Sequence, residues 1–166
     1  GLARVARWNG QTHGNHAFSV AQHSVIVWQA FKKISPKASL EDQLSALLHD
    51  GPEYVIGDMI SPFKTVLGED YKGVEDRLQQ AIHLRYSLPA IISSELKTLI
   101  KKADSISAYF EAVELAGFQA EEARRLFGTP RGFTLDMFEF EPMPPSQAQT
   151  LFLDAFEKIE RDRKNA

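Results

Sequence analysis

The spacing of apolar residues predicts a helical protein. Apolar side chains recur at every third or fourth position through most of the chain, and no stretch of useful length alternates in the way that a strand does. Ser19 and Gln22 form a capping box in front of a first long stretch that ends at Ser35-Pro36. Its apolar stripe includes one strongly polar member, His23.

The same period and the helix-breaking residues predict the remaining elements. We expect a short helix over 2–8, a helix opened by Ser39, a segment begun by Pro52 and broken at Ser61-Pro62, a helix over 70–86, a long helix from Ser93 or Ser94 to near Gly117, a short helix over 120–126, and a last helix after Pro144-Pro145. The chain is long enough for one well-buried domain, so we expect a single all-α domain over residues 1–166.

Polar groups occupy inward positions on several of these helices. His23 and Asp104 each stand on an apolar stripe, and the adjacent pair His49-Asp50 ends an apolar run. A single histidine on such a face is commonly a satisfied core residue, but an unpaired buried carboxylate is costly. The set His23, His49, Asp50 and Asp104 therefore indicates a metal site, and its mixed nitrogen and oxygen donors suit Mn, Fe, Co or Zn better than Ca.

Composition narrows the choice of partners and ligands. The absence of cysteine excludes disulfides and thiolate zinc sites, which leaves histidines and carboxylates as metal ligands. A formal charge of -3 argues against a broad surface for nucleic acid or anionic membranes, and no apolar run is long enough to span a bilayer. We expect neither nucleic acid nor membrane as a partner. Since no signal-peptide pattern opens the chain, we expect a cytoplasmic protein.

The order of these donors resembles the H…HD…D signature of the HD-domain metal-dependent phosphohydrolases. Local matches extend the resemblance to the bacterial 5'-deoxynucleotidases and the phage dATP triphosphohydrolases, over Arg7 to about Phe110: Arg7-Trp8, Ser19-Val20-Ala21-Gln22-His23-Ser24, His49-Asp50-x-x-Glu53, Gly57-Asp58 and Pro62-x-Lys64. The resemblance implies an HD-domain helical bundle whose core holds one divalent transition metal (Mn, Co, Fe or Zn) on His23, His49, Asp50 and Asp104. His83 is the sole histidine between the HD pair and Asp104, and we interpret it as structural or exposed rather than as a further metal ligand.

The resemblance also assigns roles to five further residues, each of which has a simpler alternative. It implies catalytic roles for Glu53 and Asp58, although Glu53 could serve only as a helix N-terminal carboxylate and Asp58 as a cap. It implies substrate binding by Arg7, Trp8 and Lys64. Arg7 and Lys64 could instead be solvated cations, and Trp8 could be a plain core residue.

The expected function is dephosphorylation of 2'-deoxynucleoside 5'-monophosphates, with a small-molecule nucleotide as substrate. One alternative is a deoxynucleoside triphosphate triphosphohydrolase that uses the same residues, and another is a non-catalytic sensor module that binds metal or nucleotide. A purely structural helical domain is a further alternative. From the resemblance alone we expect a homo-oligomer, a dimer or larger.

Overall fold

The computed structural model describes the backbone of residues 1–166 and the side chains of all of them except Ser61. Strand pairing in this backbone is limited to one isolated antiparallel bridge between Ala6 and Ser19. The all-α prediction is confirmed by seven α-helices: α1 Val20–Ile34, α2 Leu40–Leu47, α3 Glu53–Ile56, α4 Ser61–Arg85, α5 Ser94–Glu114, α6 Ala120–Phe127 and α7 Pro145–Asn165. None of the described helices is both long and apolar enough to cross a membrane.

Helix α1 forms the centre of the bundle. It packs against α2, α5 and α7, and almost every residue along it is buried. A helix that is enclosed on all sides must be apolar or must pair its polar groups. The polar residues Gln22, His23 and Ser24 are fully buried on α1, so each needs a partner inside the protein.

Three serines begin helices as the sequence predicts. The side chains of Ser19, Ser39 and Ser93 accept hydrogen bonds from the backbone N–H three residues later, at 3.1–3.2 Å. Each bond satisfies one of the backbone donors left free in the first turn of a helix. The N-termini of α1, α2 and α5 are therefore determined locally.

The side chain of Gln22 does not complete the predicted capping box. Its amide donates to the carbonyl oxygens of Glu139 and Glu141, at 3.1 and 2.7 Å, and accepts from the backbone N–H of Met143 at 3.1 Å. Because Gln22 is fully buried, these long-range bonds replace the local one. They tie the loop before α7 to the central helix.

The predicted helix over 2–8 is wrong. The segment instead forms two short 3-10 turns, Leu2–Arg4 and Arg7–Gly10, in which Trp8 and Asn9 have φ of 55° and 53°. The N–H of Arg7 donates to the Phe18 carbonyl at 2.8 Å, and that of Val20 to the Val5 carbonyl at 2.9 Å. Pairing with the chain before α1 thus takes the place of internal helical bonds.

Helix α4 begins at Ser61, nine residues before the predicted start, because Pro62 opens it rather than breaking it. Gly68 interrupts the helix with φ 67° and ψ −150°, a conformation that favours glycine. Eleven residues of straight helix would span about 16 Å, yet Lys64 Nζ lies 2.8 Å from Glu75 Oε1. The chain therefore bends back at Gly68.

His83, near the end of α4, is buried and structural rather than exposed, which decides between the two alternatives that we predicted. Its side chain is buried, and its Nδ1–H donates to the Pro89 carbonyl at 2.8 Å. This bond anchors the loop that leads to α5.

An apolar cluster joins α1, α2 and α7. Its buried members are Val25, Trp28, Leu44, Leu47, Leu48, Leu88, Ala155 and Ile159. Removing such side chains from water is the main source of folding free energy. This apolar cluster therefore holds α1, α2 and α7 together.

Candidate metal centre

Four predicted ligands from three parts of the chain meet beside α1. His23 comes from α1, His49 and Asp50 from the turn after α2, and Asp104 from α5. His23, His49 and Asp104 each offer a donor atom within 4.8 Å of the other two. Asp50 Oδ2 lies 3.3 Å from His23 Nε2 and 3.1 Å from His49 Nε2, and Asp104 Oδ1 lies 3.4 Å from His23 Nε2. The structure thus brings all four together.

These distances fit donors that share one metal ion. Ligands at about 2.0–2.1 Å from a metal, with angles between 90° and 109°, lie roughly 2.8–3.4 Å apart. Among the described side chains, the buried Nε2 atoms of His23 and His49 have no hydrogen-bond partner. His49 Nδ1 lies 3.0 Å from the Ala46 carbonyl, which orients Nε2 as the free donor. The donor set therefore fits a divalent transition metal.

The two aspartates stay ionised although burial opposes their charge. The charges and hydrogen bonds of His49 and His23 hold the pKa of Asp50 well below its usual range. Burial opposes ionisation of Asp104 too, but hydrogen bonding and attraction from His23 lower its pKa. In return, the surrounding carboxylates raise the pKa of His23 despite its burial and the nearby Arg7. The cluster is electrostatically prepared for a cation.

Arg7 reaches the same cluster from the N-terminal segment. Its Nη1 lies 3.9 Å from Asp50 Oδ2 and 3.8 Å from Asp58 Oδ2, and its Nε donates to Glu111 Oε2 at 2.9 Å. Burial opposes its charge, yet Glu111, Asp50 and Asp58 together raise the pKa of Arg7. Its simpler alternative, a solvated cation, is wrong.

Glu53 and Asp58 form an acidic pair next to this cluster. Glu53 is 3% exposed, and burial together with repulsion from Asp50 and Asp58 raises its pKa to about 9. Burial also raises the pKa of Asp58, an effect that Arg7 partly offsets. Glu53 can therefore carry a proton at neutral pH next to charged neighbours.

Lys64 lies at the edge of this acidic pair. Its Nζ is 2.8 Å from Glu75 Oε1 and 4.0 Å from Glu53 Oε1. Although burial opposes its charge, Glu75 raises the pKa of Lys64. The structure places Lys64 near the site, where carboxylates are its partners.

Trp8 is half-buried and occupies a position between the core and the site. Its indole N–H donates to Glu111 Oε2 at 2.9 Å. Its ring packs against Phe118 and Phe127, with centroids 5.6 and 6.0 Å apart. The alternative of a core residue is therefore correct in part, because Trp8 has both apolar packing and a polar bond to the centre.

Glu111 is the important residue that our sequence analysis missed. It is fully buried on α5, seven residues after Asp104, and a spacing of seven places two side chains on one face of a helix. Four side chains bond to it: Arg7, Trp8, His23 and Ser107. The sequence feature that could have revealed Glu111 is a carboxylate at an inward position, two turns after Asp104 and between Phe110 and Ala112.

Comparison with known proteins connects this geometry to a family. A family model described as 5'-deoxynucleotidase YfbR-like matches residues 2–127, which include every residue of the site described above. An uncharacterised protein of Rhodobacter capsulatus is 46% identical over 152 residues, which are 92% of this chain and 78% of that protein. The uncharacterised protein YfdR of Escherichia coli K12 is 31% identical over 165 residues, 99% of this chain and 83% of its own length. The 5'-deoxynucleotidase YfbR of Escherichia coli is 32% identical over 85 residues, 43% of each chain.

Proposed function

This chain belongs to the YfbR-like 5'-deoxynucleotidase family and is a phosphohydrolase, and we propose that it removes phosphate from 2'-deoxynucleoside 5'-monophosphates. The observation that carries the proposal is the approach of Arg7 Nη1 to Asp50, which in turn lies beside the two histidines of the candidate metal site. A phosphate group bound by Arg7 would lie directly against that centre. The similarity to the named 5'-deoxynucleotidase, which spans 43% of this chain, supports the choice of substrate.

We assign the metal to His23, His49, Asp50 and Asp104, because His23 Nε2 lies 3.3–3.4 Å from an oxygen of each aspartate and His49 Nε2 lies 3.1 Å from Asp50. When bound, a divalent metal supplies Lewis acidity, which activates water and polarises a phosphoryl oxygen. The neighbouring histidines keep the two carboxylates ionised. His23, whose pKa these carboxylates raise, would release a proton when its Nε2 binds the metal.

Arg7 binds the phosphate in this proposal. Its Nε is engaged by Glu111, whereas its Nη1 lies 3.8–3.9 Å from the two aspartates, beyond hydrogen-bonding distance. The Nη1 donors can therefore turn to phosphate oxygens without breaking a direct bond, and a guanidinium fork suits a phosphate. Lys64 is a second phosphate contact, which requires its Nζ to exchange Glu75 for the substrate.

Glu53 and Asp58 are the catalytic carboxyl groups in this scheme. Glu53 Oε2 is buried and has no hydrogen-bond partner among the described side chains, so it can bond to a water molecule or to substrate. Because burial raises the pKa of Glu53, its carboxyl group can hold a proton at that oxygen and pass it on. Asp58 lies against Arg7 and orients the guanidinium.

Trp8 accounts for the preference for deoxyribose over ribose. We assign its half-exposed ring to the C2' side of the nucleotide, where an aromatic face offers no partner to a 2'-hydroxyl. The bond to Glu111 and the packing on Phe118 and Phe127 hold the ring in one orientation. A ring that is fixed in this way disfavours binding of the ribonucleotide, because the 2'-hydroxyl would clash with it and would have no hydrogen-bond partner.

The test is phosphate release by metal-stripped protein that has been resupplied with Mn or Co, with dAMP, AMP and dATP compared side by side. We expect dAMP to be hydrolysed at least ~10-fold faster than AMP, as a pocket that rejects one small group typically allows. Asp50→Ala, measured in parallel, reveals any contaminating phosphatase.

Two results would contradict the proposed substrate. Release of tripolyphosphate from dATP would make the protein a triphosphohydrolase that uses the same residues. Of the three lysines that such a reaction could use, Lys64 lies near the site. Lys72 is exposed, and Lys32 Nζ lies 3.8 Å above the Trp28 ring, nine residues along α1 from His23. No turnover of any of the three nucleotides by metal-loaded protein would favour another phosphoester or a sensor.

A further inference from the structure

Glu111 has no contact with solvent, yet it connects the two halves of the site. Its Oε1 accepts from His23 Nδ1 at 2.5 Å and from the Ser107 hydroxyl at 2.7 Å. Its Oε2 accepts from Arg7 Nε and from Trp8 Nε1, both at 2.9 Å. One oxygen therefore faces a candidate metal ligand, and the other faces two residues assigned to the substrate.

These four bonds use the full accepting capacity of the carboxylate. Two oxygens offer about four lone-pair positions, and four donors occupy them. Arg7 and Trp8 lie more than 100 residues from Glu111 in sequence, so the arrangement joins the N-terminal segment to α5. A carboxylate that only stabilised α5 would not need donors from three parts of the chain.

We propose that Glu111 is a positioning residue that ties the location of the metal to the location of the nucleotide. The part that concerns the nucleotide rests on the proposed function, whereas the part that concerns the metal does not. Through Oε1, Glu111 holds the His23 ring with its proton on Nδ1 and its Nε2 free for the metal, the arrangement that outer carboxylates impose on metal-binding histidines. Through Oε2 it holds Arg7 and Trp8 at a set distance from that metal.

Replacing the Glu111 carboxylate with an amide would affect its two pairs of hydrogen-bond donors differently. The guanidinium of Arg7 and the indole of Trp8 can only donate, so Oε2 must stay an acceptor. His23 Nδ1 and the Ser107 hydroxyl can each accept instead. In Glu111→Gln, the side-chain NH₂ must therefore turn toward His23 and Ser107. It would move the proton of the neutral His23 ring from Nδ1 to Nε2, the atom that the metal needs.

The test is metal affinity in Glu111→Gln, measured by calorimetric titration of the metal-free protein with Mn or Co in the absence of nucleotide. We expect a loss of about 10–100-fold, the range for changes in the partners of metal ligands. The matched control is Glu114→Gln, the same change at an exposed position on α5, for which we expect wild-type affinity. Circular dichroism of both variants establishes that they are folded. A folded Glu111→Gln protein with wild-type metal affinity would overturn the proposal.

The kinetic constants of two variants distinguish a positioning role of Glu111 from a general loss of rigidity in the site. In Glu111→Gln the acceptor toward Arg7 and Trp8 is retained, so we expect excess metal to restore kcat with a KM for dAMP near that of the wild type. Glu111→Ala removes the acceptor on both sides, and we expect its KM to stay high at any metal concentration. A high KM in both variants at saturating metal would contradict the separation of roles.

A measurement on the wild type keeps the proposal testable if Glu111→Gln does not fold. Nitrogen-15 spectra of the zinc-loaded protein report which ring nitrogen of His23 carries the proton. A proton on Nδ1 supports the proposal, and a proton-free Nδ1 overturns it.

The inference and the proposed function can also fail separately. A wild-type protein that does not hydrolyse dAMP would contradict the proposed function alone. Unchanged metal affinity in a folded Glu111→Gln protein would contradict the inference alone.

Discussion

Two regions packed on α1 are both buried but are held together by different forces. The apolar cluster between α1, α2 and α7 is stabilised by the removal of its side chains from water. The polar cluster on the α5 side buries charges, which are costly unless paired, and pairs them with one another: Arg7, His23, Asp50, Asp104, Ser107 and Glu111. Buried charge pairs are a weak source of stability, so the difference indicates that the first region maintains the fold and the second the chemistry.

The largest expected effect comes from removing a metal donor. In Asp104→Ala we expect turnover to fall by more than the ~10–100-fold that changes in outer partners cost. We also expect the melting temperature to lose its response to added Mn, because a ligand that binds only the folded state stabilises it more as it binds more tightly.

The matched control is Asp154→Ala, at an exposed position on α7. Phosphate release and thermal melting with and without Mn are the measurements. An undiminished rise in melting temperature with Mn in Asp104→Ala would remove Asp104 from the metal site.

In the apolar cluster we expect a substitution to lower stability and to leave metal binding unchanged. Leu47 is fully buried there, and Leu47→Ala should lower the free energy of unfolding by about 2–5 kcal/mol, through lost burial and the cavity left behind. Urea unfolding measures the change. Well below its melting temperature, the folded variant should bind metal as the wild type does.

Leu153→Ala is the control, because Leu153 is 42% exposed on α7 and its loss should change stability by no more than about 0.5 kcal/mol. Weakened metal binding in folded Leu47→Ala would show that the two regions do not act separately.

A smaller effect should appear in the pH dependence of stability in chelated protein. The pKa of Glu53 is raised to about 9 in the folded state, so the folded protein keeps the proton that the unfolded chain loses above pH 4.5. The stability contribution of this group is full below pH 4.5 and is lost as pH rises toward 9, with a slope of at most about 1.4 kcal/mol per pH unit. Glu53→Gln should therefore gain stability relative to wild type at pH 8 and show little gain at pH 4.

Urea unfolding at several pH values measures this difference, with the exposed Glu122→Gln as control. Equal gains for Glu53→Gln at pH 4 and pH 8 would mean that the carboxyl group of Glu53 is not held in its protonated form.

Much of the fold could be predicted because its signals are local. Ser39 and Ser93 cap helices through bonds to residues three positions later, and these short-range bonds follow directly from residue type and spacing. The inward positions of His23 and Asp104 were likewise visible from the apolar residues around them, since a helix repeats every 3.6 residues. The resemblance to a known signature added the roles assigned to the other site residues.

Two of the wrong predictions fall where distant contacts replace local ones. Residues 2–8 have helical spacing, but their backbone pairs with the chain before α1. Gln22 matches a capping box, but its amide bonds to the loop before α7. The sequence alone determined the all-α class and the helix starts at three serines, and it predicted the candidate set of metal donors, because periodicity and capping act over a few residues. Only the tertiary structure decided that Glu111 joins His23 to Arg7 and Trp8, because that junction depends on how α1, α5 and the N-terminal segment pack across a separation of more than 100 residues.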